Sequence, residues 1–305
     1  MPVKGNSMVS KIGSHPNYGL SLARIFSPIV INSLINYGYS IYLKDVLESS
    51  GVLYDDNIDM ALGEFFDHIY KIMATSHRTE YIYKNAIANK ILLGKHSINT
   101  ACMLNEFRVG TCKADIVVLN KTSTVYEIKS EFDSFDRIES QVKSYSQVFD
   151  LIYIITSHNQ LLKLEMILPR KIGLMELTDA YTIKTVREAT SLKNQVSPEI
   201  IFDSLRKPEY LDIIKTVYGY VPDVPNTRIY KECRNLFIKL TPEIAHDQML
   251  RVLRRRSNNT LLTRLIDRIP TSLRAYVLST TLSSSQAVKL EQLMRINLSA
   301  TLVTP

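Results

Sequence analysis

The sequence predicts an α/β protein, a mixed β-sheet flanked by helices with further helical segments at its N-terminal and C-terminal sides. Two observations indicate this fold class. Residues 20–95 place apolar side chains at intervals of three and four residues, the spacing of one helix face. From residue 101 to residue 157 the pattern changes to short runs rich in β-branched and aromatic residues, which is typical of strands.

The chain before residue 96 is predicted to form helices. The periodic segments are "SLARIFSPIVINSLINY" (21–37), "LYDDNIDMALGEFFDHIYKIMAT" (53–75) and "RTEYIYKNAIANKILLGK" (78–95). Asp56 or Asn57 is placed to cap the second of them, since short polar side chains accept hydrogen bonds from the first free amides of a helix.

Four strands and one helix are predicted next. The strands are "ACMLNEFRVG" (101–110), "KADIVVLN" (113–120), "STVYEIKS" (123–130) and "LIYIITS" (151–157). A helix over residues 134–149, capped by Asp133 or Ser134, lies between the last two strands. Because a strand–helix–strand crossover joins parallel strands, these two are expected to pair in parallel. A short strand is predicted around residues 172–177, and mostly helices from residue 192 onward.

The overall composition is that of a soluble cytoplasmic protein. The chain has 305 residues, of which 45% are hydrophobic, and no run of about 18 apolar residues that would span a membrane. The first 19 residues lack the apolar centre of a signal peptide. The three cysteines form no CxxC pair and the histidines, including His158, show no metal-ligand spacing, which argues against a disulfide framework or a structural zinc site.

Positive charge is concentrated in the C-terminal part. The formal net charge is +7, and residues 181–305 carry +8 while residues 1–180 carry −1. Such asymmetry favours an anionic polymer as partner, because neutralising phosphates releases counterions. A solvated basic surface explains the same charge equally well.

Three charged residues interrupt β-type runs that otherwise read as buried. They are Asp115, Glu127 and Lys129. Alternate residues of a strand share a face, so Glu127 and Lys129 are expected to project together. A three-residue turn over residues 120–122 puts Asp115 opposite Glu127, and a four-residue turn makes them diagonal neighbours. Two carboxylates this close repel each other unless a cation lies between them, and magnesium prefers such oxygen ligands.

The motif resembles the signature of the PD-(D/E)xK nuclease superfamily. The residues that carry the resemblance are Lys113-Ala114-Asp115-Ile116 and Glu127-Ile128-Lys129-Ser130, with the downstream pattern Asp133, Arg137, Gln141, Tyr145 and Phe149-Asp150. That pattern is similar to a largely uncharacterised bacterial family within the superfamily. The resemblance covers roughly residues 78–180, and Ala114 replaces the proline that gives the superfamily its name.

The resemblance implies a restriction-endonuclease-like core with a metal site. Asp115 and Glu127 would ligate Mg²⁺ or Mn²⁺, the main-chain carbonyl of Ile128 would add a ligand, and Lys129 would assist the attacking water. Superfamily members often supply another acid, for which Glu80 on the preceding helix and Glu106 on the first strand compete.

Polar and basic residues around this motif are candidates for contacts with substrate. Gln141 lies one helical turn after Arg137, and we expect Gln141 to contact phosphate or metal-bound water and Arg137 to contact nucleic acid. In "QMLRVLRRRSNNTLLTRLIDRIP" the arginines predicted to hold the phosphate backbone are Arg251, Arg254, Arg255 and Arg256. A solvated helix or a protein interface is the competing interpretation of these arginines.

The sequence therefore predicts a metal-dependent nuclease that hydrolyses phosphodiester bonds in DNA, in phage defence or a mobile element. Three segments are expected: an N-terminal helical segment (1–77), the nuclease-like core (78–190) and a basic helical region (191–305). RNA as substrate, a homodimer and a regulatory protein partner stay open. The alternatives are a nucleic-acid-binding or regulatory module that does not cut and a scaffold for protein partners.

Overall fold

The computed structural model describes residues 18–50, 59–96, 100–256 and 259–302. The chain divides into two compact units. Residues Met1–Asn85 together with Thr260–Pro305 form a helical unit, and residues Ala86–Asn259 form a unit built around a β-sheet.

Among the described residues, the strands lie between Cys102 and Arg187, and helices lie before, between and after them. The helices are α1 (Tyr18–Ala23), α2 (Pro28–Tyr37), α3 (Ile41–Ser50), α4 (Leu62–Ser76), α5 (Glu80–Ala86, continued by a π-helical stretch over Ile87–Leu92), α6 (Leu93–Lys95), α7 (Ile138–Tyr145), α8 (Leu161–Ile167), α9 (Pro198–Ser204), α10 (Lys207–Tyr218), α11 (Asn226–Phe237), α12 (Pro242–Leu253), α13 (Asn259–Leu265), α14 (Arg274–Ser279) and α15 (Ser284–Leu293). The strands are β1 (Cys102–Val109), β2 (Cys112–Leu119), β3 (Ser123–Lys129), β4 (Leu151–Thr156), β5 (Gly173–Leu177) and β6 (Ile183–Arg187).

The six strands form one mixed sheet in sequence order. β1, β2 and β3 form an antiparallel meander, β3, β4 and β5 run parallel, and β6 returns antiparallel to β5. The helix α7 makes the crossover from β3 to β4. The predicted α/β class, the parallel pairing of the third and fourth strands and the mixed sheet are therefore confirmed.

The hairpin of β2 and β3 has the three-residue turn that the sequence analysis considered first. Ile116 pairs with Tyr126 and Leu119 pairs with Ser123, so residues 120–122 make the turn. The Asn120 side-chain oxygen accepts a hydrogen bond from the Thr122 amide at 3.0 Å, a short-range bond typical of asparagine in turns. This turn sets the register that places Asp115 level with Glu127.

One face of the sheet is covered by helices from both the crossover and the following region. Ile152 and Ile154 on β4 lie in the same apolar core as Tyr145 on α7. Phe202 on α9 and Phe237 on α11 belong to this core as well. The first part of the predicted C-terminal region thus shares a core with the sheet, and the boundary between the compact units falls after Asn259 rather than after residue 190.

The helical unit brings together segments from both ends of the chain. Tyr276 donates a hydrogen bond to the Asn32 side chain at 2.8 Å, and the amide of Gly63 donates to the carbonyl of Met294 at 3.0 Å. The predicted helix over residues 53–75 is described from Leu62, so its proposed caps Asp56 and Asn57 lie outside the described residues. Across the described ranges, each helix is too short or too polar to reach from one side of a bilayer to the other.

The crossover helix begins later than predicted. Its first residue is Ile138, and no side chain caps its start. Asp133, one of the two predicted caps, instead accepts hydrogen bonds from the amide and the hydroxyl of Ser130, at 2.8 and 2.6 Å. The prediction of a helix from residue 134 was wrong because this local turn competes for the aspartate.

Gly173 on β5 leaves room for the ring of Tyr153 on β4, and we expect Gly173→Ala to destabilise the protein. A Cβ at this position would lie 2.3 Å from Cδ1 of Tyr153 and 2.9 Å from the main-chain nitrogen of Ala189. The resulting displacement should cost about 1–3 kcal/mol in the free energy of unfolding, measured by urea denaturation. As a control, Val186→Ala on β6, where the side chain is partly exposed, should change it by about 0.5 kcal/mol.

Candidate functional site

Glu127 and Lys129 lie on the face of β3 that is covered by α7. Val125, two residues before Glu127, belongs to the same apolar core as Val142 and Tyr145 of α7. Because alternate residues of a strand share a face, Glu127 and Lys129 point to the same side, as their contacts with α7 confirm. The end of β3 thus carries two charged side chains into a packed layer.

Lys129 lies between two oxygen acceptors. Its Nζ is 3.2 Å from Oε1 of Glu127 and 2.9 Å from Oε1 of Gln141. Gln141 also donates through Nε2 to Oε1 of Glu127. The Glu127 residue is 1% exposed and Lys129 is 5% exposed, so the ion pair is buried, and α7 supplies the polar group that completes it.

Tyr145 holds the other oxygen of Glu127. Its hydroxyl lies 3.0 Å from Oε2 of Glu127 and 2.6 Å from the main-chain carbonyl oxygen of Lys113 on β2. Gln141 and Tyr145 are one helical turn apart, so α7 presents both groups to the same carboxylate. Two polar side chains of α7 therefore contact Glu127, whereas Arg137 lies just before the helix.

The environment of Glu127 shifts its protonation equilibrium. Burial raises the pKa of the carboxyl group, and the Lys129 ammonium with the hydrogen bonds from Tyr145, Lys129 and Gln141 opposes that rise only in part. Burial and the negative charge of Glu127 also raise the pKa of Tyr145, which keeps its hydroxyl proton available for donation. The carboxylate is therefore in a place where a nearby positive charge stabilises it strongly.

Asp115 reaches from β2 to the main chain of β3. The pairing of the two strands extends to Ile116 opposite Tyr126, and the next level holds Asp115 and Glu127. Oδ2 of Asp115 accepts a hydrogen bond from the Ile128 amide at 2.8 Å. The two carboxylates thus flank the peptide segment that joins Glu127 to Lys129, as the register predicted.

Glu106 on β1 lies beside Asp115 of the neighbouring strand β2. Asn105 pairs with Ile116 and Phe107 pairs with Ala114, so Glu106 lies opposite Asp115. Its φ of 52° is in the left-handed region, which is rare for residues other than glycine and makes the backbone of β1 irregular at this residue. The Glu106 carboxylate lies 2.5 Å from Nζ of Lys113. Glu106 is therefore level with the predicted metal ligands but engaged with a lysine.

At this position in the sheet, the carboxylates of Asp115 and Glu127 and main-chain oxygens are available as ligands for a metal ion. Among the described residues, no three side chains of His, Cys, Asp or Glu are grouped to hold a metal ion. Glu80 belongs to the helical unit, where Lys84 lies 2.6 Å from its carboxylate. Asp115, Glu127 and the Ile128 carbonyl still fit magnesium in kind, because that ion commonly takes one or two carboxylates and keeps several waters.

Comparisons with known proteins assign the chain to a family. A family model described as bacteriophage P4 protein cII matches residues 73–274, about two thirds of the chain. The chain belongs to the bacteriophage P4 protein cII family. The match includes all six strands and every residue of the Glu127 site.

The comparisons with curated proteins and with solved structures do not extend the assignment to the P4 cII family. No curated protein matches the chain. A solved structure, a protein of unknown function from Silicibacter pomeroyi named SPO1766, is 22% identical with a TM-score of 0.25. The likeness covers 30% of this chain and 62% of the other protein. That TM-score supports no argument about fold or function.

Three of the four arginines predicted to hold phosphate form ion pairs inside this P4 cII family member. Nη1 of Arg251 lies 2.6 Å and Nη1 of Arg255 lies 3.3 Å from the carboxylate of Asp212 on α10. Arg256 makes a two-pronged contact with Glu209, at 2.6 and 2.7 Å. The structure thus places these arginines against carboxylates, which reduces the positive charge that they offer to a polyanion.

Arg254 lies at the opposite end of the sheet from Glu127. Its Nη1 is 3.5 Å from the carbonyl oxygen of Asn120, in the turn before β3. Glu127 is about five residues along the strand from that turn, or ~16 Å. The helix α12 ends at Leu253, and a 3-10 turn over Arg254–Arg256 follows it directly. Arg137 is exposed just before α7.

Asp150, which follows the crossover helix, has a structural role in the P4 cII fold. Its carboxylate accepts hydrogen bonds from the hydroxyls of Thr122 and Ser191, each at 2.5 Å, and from the amides of Leu192 and Lys193 at 3.2 and 3.1 Å. Burial alone would raise the pKa of Asp150, but these hydrogen bonds outweigh it and lower the pKa. The carboxylate therefore ties the start of β4 to two other segments.

Sequence reasoning missed a further contact between two ionisable side chains in this unit. Glu176 on β5 is 8% exposed, and its Oε1 lies 3.1 Å from Nδ1 of His158. The signal was present, because a glutamate interrupts the apolar run "IGLMELT" as Glu127 interrupts its own strand. His158 gave no such signal, since it follows β4 in a turn.

The Asp150 contacts lead to a pH-dependent stability prediction. A carboxyl group whose pKa is lower in the folded state stabilises the fold above its unfolded pKa, near 3.9, and loses that contribution as pH falls through its folded pKa. Asp150→Asn should therefore cost about 1–3 kcal/mol of unfolding free energy at pH 6, and the difference from wild type should shrink below pH 4. Urea denaturation between pH 3 and pH 7 measures it.

The control for this experiment is Asp223→Asn, which changes an exposed aspartate. That variant should match the wild type at every pH. A constant deficit of Asp150→Asn across the whole pH range would contradict the assignment of the stabilisation to the ionised carboxylate.

Proposed function

We propose that the chain is a metal-dependent nuclease that hydrolyses phosphodiester bonds in DNA. The observation that carries the proposal is the grouping of Asp115, Glu127 and Lys129 at one level of two adjacent strands, with Gln141 reaching them from the crossover helix. A packed sheet gains no stability from burying such groups in place of apolar residues, because desolvating charges costs several kcal/mol per ion. Their retention supports a chemical role.

Lys129 is the residue placed to act on the reacting phosphate. Its ammonium is buried and held by Glu127 and Gln141, so its position is fixed before a substrate arrives. A fixed ammonium stabilises negative charge that develops on phosphate oxygens, and it orients a water molecule for attack. Gln141 contributes by positioning the lysine, and Tyr145 by positioning Glu127.

Asp115, Glu127 and the Ile128 carbonyl are the groups that would hold Mg²⁺ or Mn²⁺. When bound, the ion would polarise the phosphate and lower the pKa of its bound water. Asp115 accepts a hydrogen bond from the Ile128 amide at 2.8 Å, which fixes the Glu127–Ile128 peptide and holds the Asp115 carboxylate beside this part of β3. The Glu127 carboxylate would ligate the metal in place of its contact with Lys129, because the positive charge of the metal favours the ionised form of the carboxyl group.

The biological setting proposed for this activity is a phage or a mobile element, including phage defence. Support comes from the family description, which names a bacteriophage protein. Cytoplasmic action on DNA is part of the proposal, and RNA is the competing substrate.

A second candidate function is a nucleic-acid-binding or regulatory module that keeps the nuclease fold without cutting. One observation favours it: both carboxylate oxygens of Glu127 already have partners, and the residue is 1% exposed. A site whose charges are satisfied within the chain can persist as a structural network. This alternative predicts binding of nucleic acid without cleavage.

Nuclease activity is tested by incubating the protein with plasmid, linear duplex, single-stranded DNA and RNA, in Mg²⁺, Mn²⁺ or EDTA. We expect metal-dependent cleavage of DNA. Asp115→Asn and Lys129→Met should each lower the rate by about 10²–10⁴-fold, the range for loss of a positioned catalytic group. Gels with end-labelled substrate give the rates.

Lys143→Met is the matched control, since Lys143 is an exposed lysine on α7 that no contact of the Glu127 site uses. It should cleave at the wild-type rate. Thermal unfolding of each variant separates lost chemistry from lost folding. Binding of DNA without cleavage by wild type in every metal would replace the nuclease by the second candidate.

A further inference from the structure

Glu176 is a charged residue in a strand that is otherwise apolar and buried. All five residues of β5 are buried, from Gly173 to Leu177. The Glu176 side chain is 11% exposed, and its described partner is a histidine whose side chain is 78% exposed. Since ion pairs with an exposed partner contribute about 0–1 kcal/mol, stability alone does not explain a glutamate at this position.

Glu176 lies in line with Lys129 across the parallel strands. Lys129 pairs with Thr156 on β4, and Thr156 pairs with Glu176 on β5. Leu174, two residues before Glu176, belongs to the core on the α7 side, which places Glu176 on the face that carries Lys129. With ~4.8 Å between neighbouring strands, the two backbones are ~10 Å apart.

Two hydrogen bonds join the strand ends at this place. The Thr156 hydroxyl donates to the carbonyl of Lys129 at 2.6 Å. Nε2 of Gln160 donates to the carbonyl of Glu131 at 3.4 Å, so the turn that contains His158 contacts the segment that leaves Lys129. His158 is therefore carried on backbone that is tied to the Lys129 strand.

We propose that His158, oriented by Glu176, binds one phosphate group of a nucleic acid strand that has another of its phosphates, a few nucleotides away, at Lys129. This inference rests on the nucleic-acid substrate of the proposed function. Nδ1 of His158 faces Oε1 of Glu176 at 3.1 Å, and no described contact engages Nε2, on the outer side of the ring. In the protonated ring Nε2–H donates to an anionic oxygen, and such charge-assisted bonds are stronger than neutral ones.

The spacing suits a continuous phosphate chain. Successive phosphates of one strand advance about 3.4 Å along a duplex axis, so the ~10 Å between the backbones of β3 and β5 spans a few nucleotides. Parallel α/β sheets present ligand sites at the carboxyl ends of their strands, where Lys129, Thr156 and Glu176 all lie. Glu176 is a positioning residue in this arrangement, because it acts through His158.

The test measures binding separately from cleavage. Fluorescence anisotropy of a labelled 20-base-pair duplex and a 20-nucleotide single strand is recorded in EDTA at pH 6, from low to moderate salt. His158→Gln should weaken binding about fivefold to twentyfold and reduce the salt slope of the duplex by about one phosphate contact, or ~0.9. His158→Arg should restore both values.

Glu176→Gln should keep most of the salt slope while lowering affinity about threefold, because the imidazole remains but loses its orientation. The control is His96→Gln, since His96 contacts Asn120 in the turn at the other end of this sheet. It should bind as wild type does.

Equal affinity and slope for His158→Gln and wild type would overturn the inference, as would failure of the wild type to bind either probe. The result is distinguishable from that of the proposed function. If binding depends on His158 but no metal supports cleavage, the nuclease is rejected and the His158 contact is kept. If cleavage depends on metal but binding does not depend on His158, the nuclease is kept and the His158 contact is rejected.

Discussion

The ion pair of Glu127 and Lys129 is the interaction on which the geometry of this region depends. Both groups are buried, and moving a charged group out of water costs several kcal/mol unless partners replace the lost hydration. Gln141 and Tyr145 supply those partners from one face of α7. The position of the crossover helix on the sheet is therefore fixed by polar contacts as well as by apolar packing, and a displaced helix would leave charges unsatisfied.

The order of strands gives this pair its setting. Antiparallel pairing of β2 with β3 brings Asp115 level with Glu127, and parallel pairing of β3 with β4 brings Thr156 level with Lys129. The positive φ of Glu106 makes the backbone of β1 irregular beside Asp115. Irregular backbone costs free energy and persists where the surroundings impose it. The sheet is thus regular at its turn end and irregular where the charged side chains gather.

Local signals predicted most of the sheet and the centre of the site. Alternation of side chains gave the shared face of Glu127 and Lys129, and the turn over residues 120–122 gave the register of Asp115. Both properties depend on residues within about 15 positions of each other, so the sequence alone encodes them. Helical spacing made Gln141 a candidate for contacts at the site, although it did not reveal that Gln141 and Tyr145 both contact Glu127.

Long-range partners account for what the sequence did not predict. The sequence around residue 255 predicted a basic surface that is free to bind phosphate. The carboxylates that pair with these arginines belong to Asp212 and Glu209, which lie more than 35 residues earlier on another helix. The division of the C-terminal region between two compact units depends on packing that no local pattern records. Asp133 shows the same limit at short range, since two hydrogen bonds to Ser130 outcompeted its predicted role as a cap.

The two ends of the parallel strands differ in how far their polar groups are satisfied by the chain itself. At the amino end, Asp150 receives four hydrogen bonds from described residues, and the Ser123 hydroxyl lies 2.7 Å from Nε2 of His246, both fully buried. At the carboxyl end, the described partner of Glu176 is an exposed histidine. The Lys129 ammonium lies between Glu127 and Gln141, and a bound cation or anion could replace these contacts. Buried polar groups that hydrogen-bond to one another stabilise a fold. Buried polar groups whose partners are exposed side chains remain available to a ligand. This asymmetry supports the proposal of a ligand site at the carboxyl end, whereas the arginine pairs and the Asp150 network stabilise the fold.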